Sequence, residues 1–500
     1  MPQLFRQVYV ISDLHLGGVY GDPAKSGDRG FRLCTHTAEL VAFVDALASK
    51  PVAGPAIELV INGDMVDFLA ERESDPPYWT PFTPDQQLAT RKLEAILGRD
   101  QAFVNALRRF LAAGHRLVLT LGNHDLELAL PLVRRRLISL LDARGRDFEF
   151  LYDGEGYLVG DALIEHGNRY DRWNVVDNDA LRRFRSLLSR RQPVPDKYAF
   201  DPPAGSKMVA TVINPVKGDY QFVDLLKPEH EAVIPLLLAL EPGYRRFILK
   251  AIPLDLESRK HKMAAPAMPG MGGDISAQDD PMGGPIGADI SAAAVMEPAA
   301  TESESELERI LGKAMGDHAE GFLEEMRHLE GEIGSDISAS ETIDRTLGFV
   351  KLLFGKQKEA MEKRLPSLLK ALRALHGDRS FDPAVETDRD TLQAAEALAS
   401  GGIHYVVFGH THMAKRVPLE GGGLYFNSGT WADVMQFPEE IISGSETDAL
   451  AKTRDFVAKM ATGDYTDWTL FRPTYVRLDF DTPDTVGKAE LCSSVSPETV

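Results

Sequence analysis

The 500-residue sequence predicts an α/β fold whose core is interrupted by a large, mostly helical insertion. Three observations support this prediction. Short apolar segments alternate with segments of helical periodicity over residues 7–166, the alternation stops after residue 169, and strand-like segments return only near residue 404. Alternation of strands and helices is typical of a layered α/β domain.

The predicted core strands are short and rich in Val, Ile, Leu or aromatic residues. They lie at residues 8–12, 57–61, 116–121, 162–165, 404–408, 423–426 and 476–480. Helical periodicity is found around residues 35–49, 86–112 and 126–142. We therefore expect one core built from residues 1–169 and 385–480.

The insertion divides into three parts by composition. Residues 170–260 combine an Arg-rich helical start with an apolar segment punctuated by Pro, and we expect them to form a lid or cap. Residues 261–303 are rich in Ala, Gly, Pro and Met without a core pattern, which predicts a disordered linker. Residues 304–384 are again helical in pattern. The last stretch, 481–500, is predicted to be a flexible tail.

The bulk properties predict a soluble, cytoplasmic protein. No apolar run reaches the roughly 20 residues that span a bilayer, and the first residues lack the pattern of a signal peptide. Two distant cysteines, Cys34 and Cys492, give neither a disulfide framework nor a thiolate metal site. The net charge of −20 disfavours a nucleic-acid partner without excluding one. Peripheral association with a membrane surface stays open.

Five predicted strands each run directly into a polar cluster. In chain order these clusters are Asp13-Leu14-His15, Asp64-Met65-Val66-Asp67, Asn123-His124-Asp125, His166-Gly167-Asn168 and His410-Thr411-His412. In open α/β sheets the ligand lies outside the carboxyl ends of the strands, so the five clusters are expected to converge on one site.

The residue types in these clusters indicate a metal site. Carboxylates, an amide oxygen and imidazoles without any thiolate suit Mn, Fe or Zn. An Asp-x-His or His-x-His pair can direct both side chains at one ion only where the backbone leaves strict alternation, and the adjacent glycines are consistent with such turns. Each cluster alone is weak, since a lone Asp-x-His usually caps a helix. All five in this order favour a metal centre.

The ordered set resembles the calcineurin-like metallophosphoesterase superfamily, whose pattern is Asp-x-His, Gly-Asp-x-x-Asp, Gly-Asn-His-Asp/Glu, His-Gly and Gly-His-x-His. The resemblance implies a four-layer α-β-β-α sandwich and two divalent metal ions, with Mn²⁺ favoured and Fe or Zn as alternatives. The implied ligands are Asp13, His15 and His412 for the first metal, Asn123, His166 and His410 for the second, and Asp64 as the bridge. His124 would be the catalytic general acid, with Asp125 orienting it and Asp67 behind the ligands.

The resemblance also implies an activity. We expect a phosphoesterase that hydrolyses a phosphodiester or pyrophosphate bond, with a metal-bridging hydroxide as nucleophile and His124 protonating the leaving group. A DNA or RNA nuclease and a phosphomonoesterase such as a protein phosphatase are the alternatives. A non-catalytic scaffold is a remote alternative, because every ligand position of the pattern is occupied.

The substrate class is indicated only by the similarity of two motifs to those of known enzymes. The Ile-Ser-Asp-Leu-His-Leu-Gly segment and the block 166–174 are similar to bacterial enzymes like UDP-diacylglucosamine hydrolase, which carry a helical lid in the interval of this insertion, although His124 stands where those enzymes usually have Arg. We expect a phosphorylated small molecule or a lipid precursor. Arg169 and Arg172 begin an Arg-rich run that is either a solvated helix face or a grip on a phosphate or anionic lipid.

Overall fold

The computed structural model describes residues 5–19, 30–51, 56–72, 78–218, 220–227, 229–241, 352, 361–373 and 379–495. The strands are β1 (Arg6–Ile11), β2 (Ala56–Asn62), β3 (Arg116–Thr120), β4 (Phe148–Leu151), β5 (Tyr157–Val159), β6 (Ala162–Ile164), β7 (Leu226–Lys227), β8 (Tyr405–Phe408), β9 (Lys415–Pro418), β10 (Leu424–Asn427), β11 (Val434–Gln436), β12 (Thr469–Leu470), β13 (Thr474–Thr482) and β14 (Thr485–Ser493). The helices are α1 (Thr37–Ala48), α2 (Gln86–Arg99), α3 (Gln101–Ala112), α4 (Pro131–Leu140), α5 (Asn178–Ser189), α6 (Ala204–Met208), α7 (Asn214–Lys217), α8 (Glu229–Leu240), α9 (Met361–Arg373), α10 (Arg389–Ser400), α11 (Glu439–Ser443) and α12 (Glu446–Thr462).

The first sheet has six strands in the order β14-β13-β1-β2-β3-β4. Strands β1 to β4 run parallel, while β13 is antiparallel to both β1 and β14. Side chains alternate along a strand, so Val8 and Val10 enter one buried cluster and Tyr9 and Ile11 another. Because both faces of this sheet are covered, its central strands are apolar at almost every position.

The second sheet has five strands in the order β5-β6-β8-β10-β9. Strands β6, β8 and β10 are parallel, and the two edge strands are antiparallel to their neighbours. Strand β6 precedes the insertion and β8 follows it, yet the two strands pair directly. The insertion is therefore an excursion between adjacent strands of one sheet.

The two sheets contact each other through one hydrophobic cluster, in which Val10 and Val60 of the first sheet join Val407 and Phe426 of the second. On its other face the first sheet packs against α1 to α4. Ala395 of α10 packs with the outer side chains of β8 and β10. The predicted α/β fold class is confirmed, and the four-layer arrangement stays a prediction.

A separate hydrophobic cluster lies outside the two large sheets. Apart from Leu33, its buried residues come from three parts of the chain, within residues 213–240, 352–372 and 432–468. It includes side chains of α8, α9 and α12 and of the small sheet β12-β11-β7. We call the region formed by 204–241, 361–373 and 432–470 the cap. The prediction that 385–480 belongs wholly to the core is wrong for 432–468, because the apolar face of α12 packs against helices of the insertion.

The predicted flexible tail at 481–500 is also wrong in part, since β14 pairs along β13. The predicted linker at 261–303 lies outside the described residues, as does most of 304–384. Within the ranges that are described, no helix is both long and apolar enough to cross a bilayer.

Candidate metal centre

The five polar clusters follow strands of both sheets. Asp13, Asp64 and Asn123 come directly after β1, β2 and β3, which are adjacent and parallel. His166 and His410 follow β6 and β8, which are also adjacent and parallel. Since the carboxyl ends of parallel strands share one edge, each sheet brings its clusters to one side.

The backbone at these clusters is left-handed. Among the described residues, seven other than Gly have positive φ: Asp13, His15, Asp64, Asp142, Arg191, His410 and His412. Five of the seven are predicted metal ligands. Residues with a Cβ rarely adopt this conformation, and such strain concentrates at functional sites. The departure from strand alternation that the sequence predicted at the Asp-x-His and His-x-His pairs is confirmed.

Asp13, His15 and His412 form the first of three groups that could hold an ion. The Nε2 atoms of His15 and His412 lie 2.9 Å apart. The Oδ1 atom of Asp13 lies 3.4 Å from His412 Nε2 and 3.9 Å from His15 Nε2. This set is the one predicted for the first metal.

Asp64 connects this group to a second one. Its Oδ2 atom lies 3.2 Å from His166 Nε2 and 3.8 Å from His15 Nε2. His166 Nε2 lies 3.3 Å from Asn123 Oδ1, and the Nδ1 atom of the same ring lies 2.9 Å from the carbonyl oxygen of Asn62. That second contact aims Nε2 of His166 at the cluster. Asp64 therefore stands between the ligand sets predicted for the two metals.

The donor atoms fit divalent ions. Ligands that share one ion at bond lengths of about 2.0–2.2 Å lie roughly 3–3.5 Å apart, close to the separations seen here. Backbone N–H groups of His410 and His124 bind one carboxylate oxygen each of Asp13 (3.0 Å) and Asp64 (2.8 Å). The remaining oxygen of Asp13, Oδ1, is buried and accepts no hydrogen bond from the described residues. A buried carboxylate oxygen in that state is suited to bind a cation.

The electrostatics of the cluster favour positive charge at its centre. Burial by itself raises the pKa of the Asp13 carboxyl, but the imidazoles of His166 and His412 outweigh this effect and lower it to about 2. Burial likewise opposes the charged form of His166, but the carboxylates of Asp64 and Asp13 raise its pKa to about 10. Divalent ions satisfy the same carboxylates while leaving the imidazoles neutral.

His410 lies beside this cluster and outside the three groups. Its ring centroid is 5.4 Å from that of His166. Its Nε2 atom lies 3.0 Å from Oδ2 of Asp171, a residue that the sequence analysis did not single out. His410 can therefore reach an ion next to His166 only through Nδ1.

His124 lies at the edge of the cluster and is paired with Asp67. Its Nδ1 atom lies 3.2 Å from Asp67 Oδ1, while Asp67 Oδ2 lies 3.5 Å from Nδ1 of His15. Burial opposes the charged imidazole, but the carboxylates of Asp67 and Asp64 raise the pKa of His124 to about 9. Asp67 thus lies within ion-pair distance of Nδ1 in both a predicted ligand and the predicted acid, which leaves Nε2 of His124 for other contacts.

Asp125 does not have the predicted contact with the His124 ring. Its two carboxylate oxygens accept backbone N–H groups of Gly122 at 2.8 Å and Met65 at 3.0 Å. The prediction that Asp125 orients His124 is wrong, because the turn after β3 directs its side chain back under the loop. Asp125 instead ties together the two loops that carry Asp64 and Asn123.

Two glycines in these loops make room for the cluster. A Cβ on Gly63 would lie 2.4 Å from Nδ1 of His166, and a Cβ on Gly122 would lie 2.0 Å from Oδ1 of Asp64. Both distances are far below van der Waals contact, so the absence of a side chain at these positions sets the separation of the two strand ends.

The two predicted substrate-binding arginines lie on the segment after His166. Arg169 Nε lies 3.2 Å from Oε2 of Glu165, and the same guanidinium donates to the carbonyl oxygen of Gly154. The Arg172 guanidinium lies 5.9 Å from the centre of the Trp173 ring. A role for Arg169 and Arg172 in binding substrate stays a prediction.

Sequence reasoning missed two polar residues of this segment, Asp171 and Asn174. Asn174 Oδ1 accepts a hydrogen bond from Asn123 Nδ2 at 3.2 Å, and Asn174 Nδ2 donates to Asp171 Oδ2 at 2.6 Å. The only signal in the sequence was their place in the block 166–174, within eight residues of His166.

A comparison with family models bears on this geometry. Residues 6–229 match the family described as calcineurin-like phosphoesterase, a range that includes Asp13, Asp64, Asn123 and His166 and ends before His410. No curated protein and no solved structure matches the chain. Residues 6–229 are therefore similar to the calcineurin-like phosphoesterase family, and that similarity implies metal-dependent hydrolysis of phosphoester bonds.

Proposed function

We propose that this protein is a two-metal phosphoesterase that hydrolyses a phosphodiester or pyrophosphate bond. The observation that carries the proposal is the position of Asp64, whose Oδ2 atom faces His15 on one side and His166 on the other. A single carboxylate shared by two groups of ligand atoms is the arrangement that a pair of ions requires.

The chain offers enough ligands for both ions. Asp13, His15 and His412 would hold the first, Asn123, His166 and His410 the second, and Asp64 both. Mn²⁺ is the favoured ion, because carboxylate, amide and imidazole ligands without a thiolate suit it, and Fe or Zn suit the same set. Such ions, when bound, lower the pKa of a coordinated water and neutralise charge on a phosphoryl group.

His124 is the proposed general acid. Asp67 Oδ1 lies 3.2 Å from its Nδ1 atom, so Nε2 is the atom that can deliver a proton to the leaving oxygen. The ring lies 4.8 Å, centroid to centroid, from the ring of His15, which places it beside the first group of ligands. In this proposal Asp125 supports the site by fixing the loops and takes no part in the proton transfer.

Two features favour a diester or pyrophosphate substrate over a monoester. These are the sequence similarity of the block 166–174 to bacterial enzymes like UDP-diacylglucosamine hydrolase, and the presence of the cap. The cap is joined to loops beside the site, because Asn214 Nδ2 donates to the carbonyl oxygen of Leu69 at 2.8 Å and the Gly205 N–H donates to the carbonyl oxygen of Trp173 at 2.7 Å. A covering domain rooted beside the metals is suited to select and shield a substrate. We further propose that the protein acts in the cytoplasm on a phosphorylated small molecule or a lipid precursor.

The test is a substrate panel with the full chain and Mn²⁺: bis(p-nitrophenyl) phosphate, p-nitrophenyl phosphate, single-stranded DNA and a nucleotide-sugar lipid. We expect hydrolysis of the diester to exceed that of the monoester, to stop on chelation and to be absent in Asp64→Asn. Full activity after exhaustive chelation, or in that variant, would overturn the two-metal proposal. Preference for DNA would instead favour a nuclease, and preference for the monoester a phosphatase.

A further inference from the structure

We propose that Asp171 and Asn174 form a clamp that orients His410 and Asn123, the two outer ligands of the second metal. The inference rests on the proposed two-metal function and adds positioning residues to it. Both residues lie on the segment that leaves β6 after His166 and leads into the cap, so the clamp would connect the cap to one of the two metal sites.

The clamp is a continuous chain of hydrogen bonds across the second site. Asp171 Oδ2 lies 3.0 Å from His410 Nε2 and accepts from Asn174 Nδ2 at 2.6 Å. Asn174 Oδ1 in turn accepts from Asn123 Nδ2 at 3.2 Å. The chain therefore runs from a ligand of the second sheet to a ligand of the first.

Each contact selects the atom that the ligand presents to the ion. A carboxylate at Nε2 of His410 favours the tautomer with its proton on Nε2, which leaves the lone pair of Nδ1 for coordination. An acceptor at Nδ2 of Asn123 fixes the amide so that its oxygen faces His166, from which it is 3.3 Å away. Without the clamp, the His410 imidazole and the Asn123 amide would each lose one contact that fixes their orientation.

The clamp is itself held in place by the segment around it. Asp171 Oδ1 accepts from the backbone N–H of Trp173 at 2.9 Å, and Asn168 Nδ2 donates to the carbonyl oxygen of Asn174 at 2.8 Å. Gly205, in the first cap helix α6, donates its N–H to the Trp173 carbonyl at 2.7 Å. A Cβ on Gly205 would lie 2.2 Å from Asn174 Oδ1, so α6 packs directly on the clamp.

The experiment measures Mn²⁺ binding to the full chain by titration calorimetry, with the metal content after dialysis as a second readout. We expect two ions per chain in the wild type. Asp171→Ala and Asn174→Ala should each lower the affinity for one of the two Mn²⁺ ions by about 10- to 100-fold, the usual effect of losing a partner of a metal ligand. The double variant should bind Mn²⁺ no more weakly than the single variant with the lower affinity, because the two residues act as one unit.

Further variants separate positioning from folding. Asp171→Asn keeps an acceptor and should bind the affected ion with intermediate affinity. Gly205→Ala should lower the Mn²⁺ affinity as Asn174→Ala does, because the added methyl group would collide with the Asn174 side chain. Asp179→Ala, an exposed carboxylate on α5 paired with Arg182, is the matched control and should bind both ions normally.

The outcomes distinguish the clamp from the function on which it rests. A wild-type chain that binds fewer than two ions would overturn the two-metal proposal itself. Two ions in the wild type, with unchanged affinities in both alanine variants, would overturn only the clamp. Equal loss of both ions together with a lowered melting temperature of the metal-free variants would also overturn it, since that pattern indicates a purely structural role.

Discussion

Asp67 offers the sharpest test of how this site is built, because Asp67, and not the predicted Asp125, lies beside the ring of His124. The Asp67 side chain is only 5% exposed and faces two imidazoles, with Nδ1 of His124 at 3.2 Å and Nδ1 of His15 at 3.5 Å. Asp67→Asn keeps the shape and the acceptor for Ala70 N, at 3.1 Å, while removing the charge.

The expected loss can be worked from these contacts. A hydrogen bond to a charged group contributes about 1.5–3 kcal/mol, and about 1.4 kcal/mol in the activation free energy is a tenfold change in rate. If the contact to His124 is made in the transition state, Asp67→Asn should lower kcat by about 10- to 150-fold. The assay is hydrolysis of bis(p-nitrophenyl) phosphate with saturating Mn²⁺, with bound metal measured in parallel.

Asp125→Asn is the matched comparison, since among the described residues the hydrogen bonds to its carboxylate come from the backbone N–H groups of Gly122 and Met65. One of these two buried donors would lose its acceptor, so the variant should lose about 1–3 kcal/mol of unfolding free energy and a smaller part of kcat. Wild-type kcat in Asp67→Asn would refute this reasoning. An Asp125→Asn variant that is fully stable but has a low kcat would also refute it, because that result would indicate that Asp125 orients His124.

Three further predictions concern the acid, the loops and the insertion. His124→Ala should lower kcat by roughly 10²- to 10⁴-fold with near-normal metal content, and by less for a substrate with a good leaving group; loss of bound metal would make His124 a ligand instead. Gly122→Ala should lose metal as well as activity, because its Cβ would lie 2.0 Å from Asp64 Oδ1; a fully loaded variant, seen by metal analysis, would contradict this. Deletion of residues 262–303 should leave the melting temperature and diesterase activity nearly unchanged, since their sequence has no apolar core pattern; a large drop in either would show that this stretch contributes to the fold.

The cap changes how the insertion can be understood. Its hydrophobic cluster combines Leu236 and Leu368 of the insertion with Phe437, Phe456 and Trp468 from the later stretch between β10 and β13. An insertion that shares its core with another segment cannot be removed as an independent lid. Cutting it out would expose those later side chains to solvent, so truncation experiments must treat the segments of the cap together.

The strand β14 shows why local pattern failed at the end of the chain. Its residues Val486, Ala489 and Leu491 lie opposite Phe480, Leu478 and Val476. The register shifts between the first two of these pairs, so the alternation of apolar and polar positions is interrupted. A β-bulge of this kind hides the period of two by which a strand is recognised, and the stretch therefore resembled a tail.

The sequence by itself determined the α/β class, the seven core strands and the set of residues that the strand ends bring together. These features are local, since a run of apolar residues followed by a polar turn specifies both the strand and the position of the side chain after it. The direction of each side chain is not local. Whether Asp67 or Asp125 meets His124, whether Asp171 reaches His410, and which segments close the cap depend on contacts between residues far apart in the chain. Only the packing of the two sheets, the strand-end loops and the cap decided them, because a buried polar or apolar group settles where its partners are.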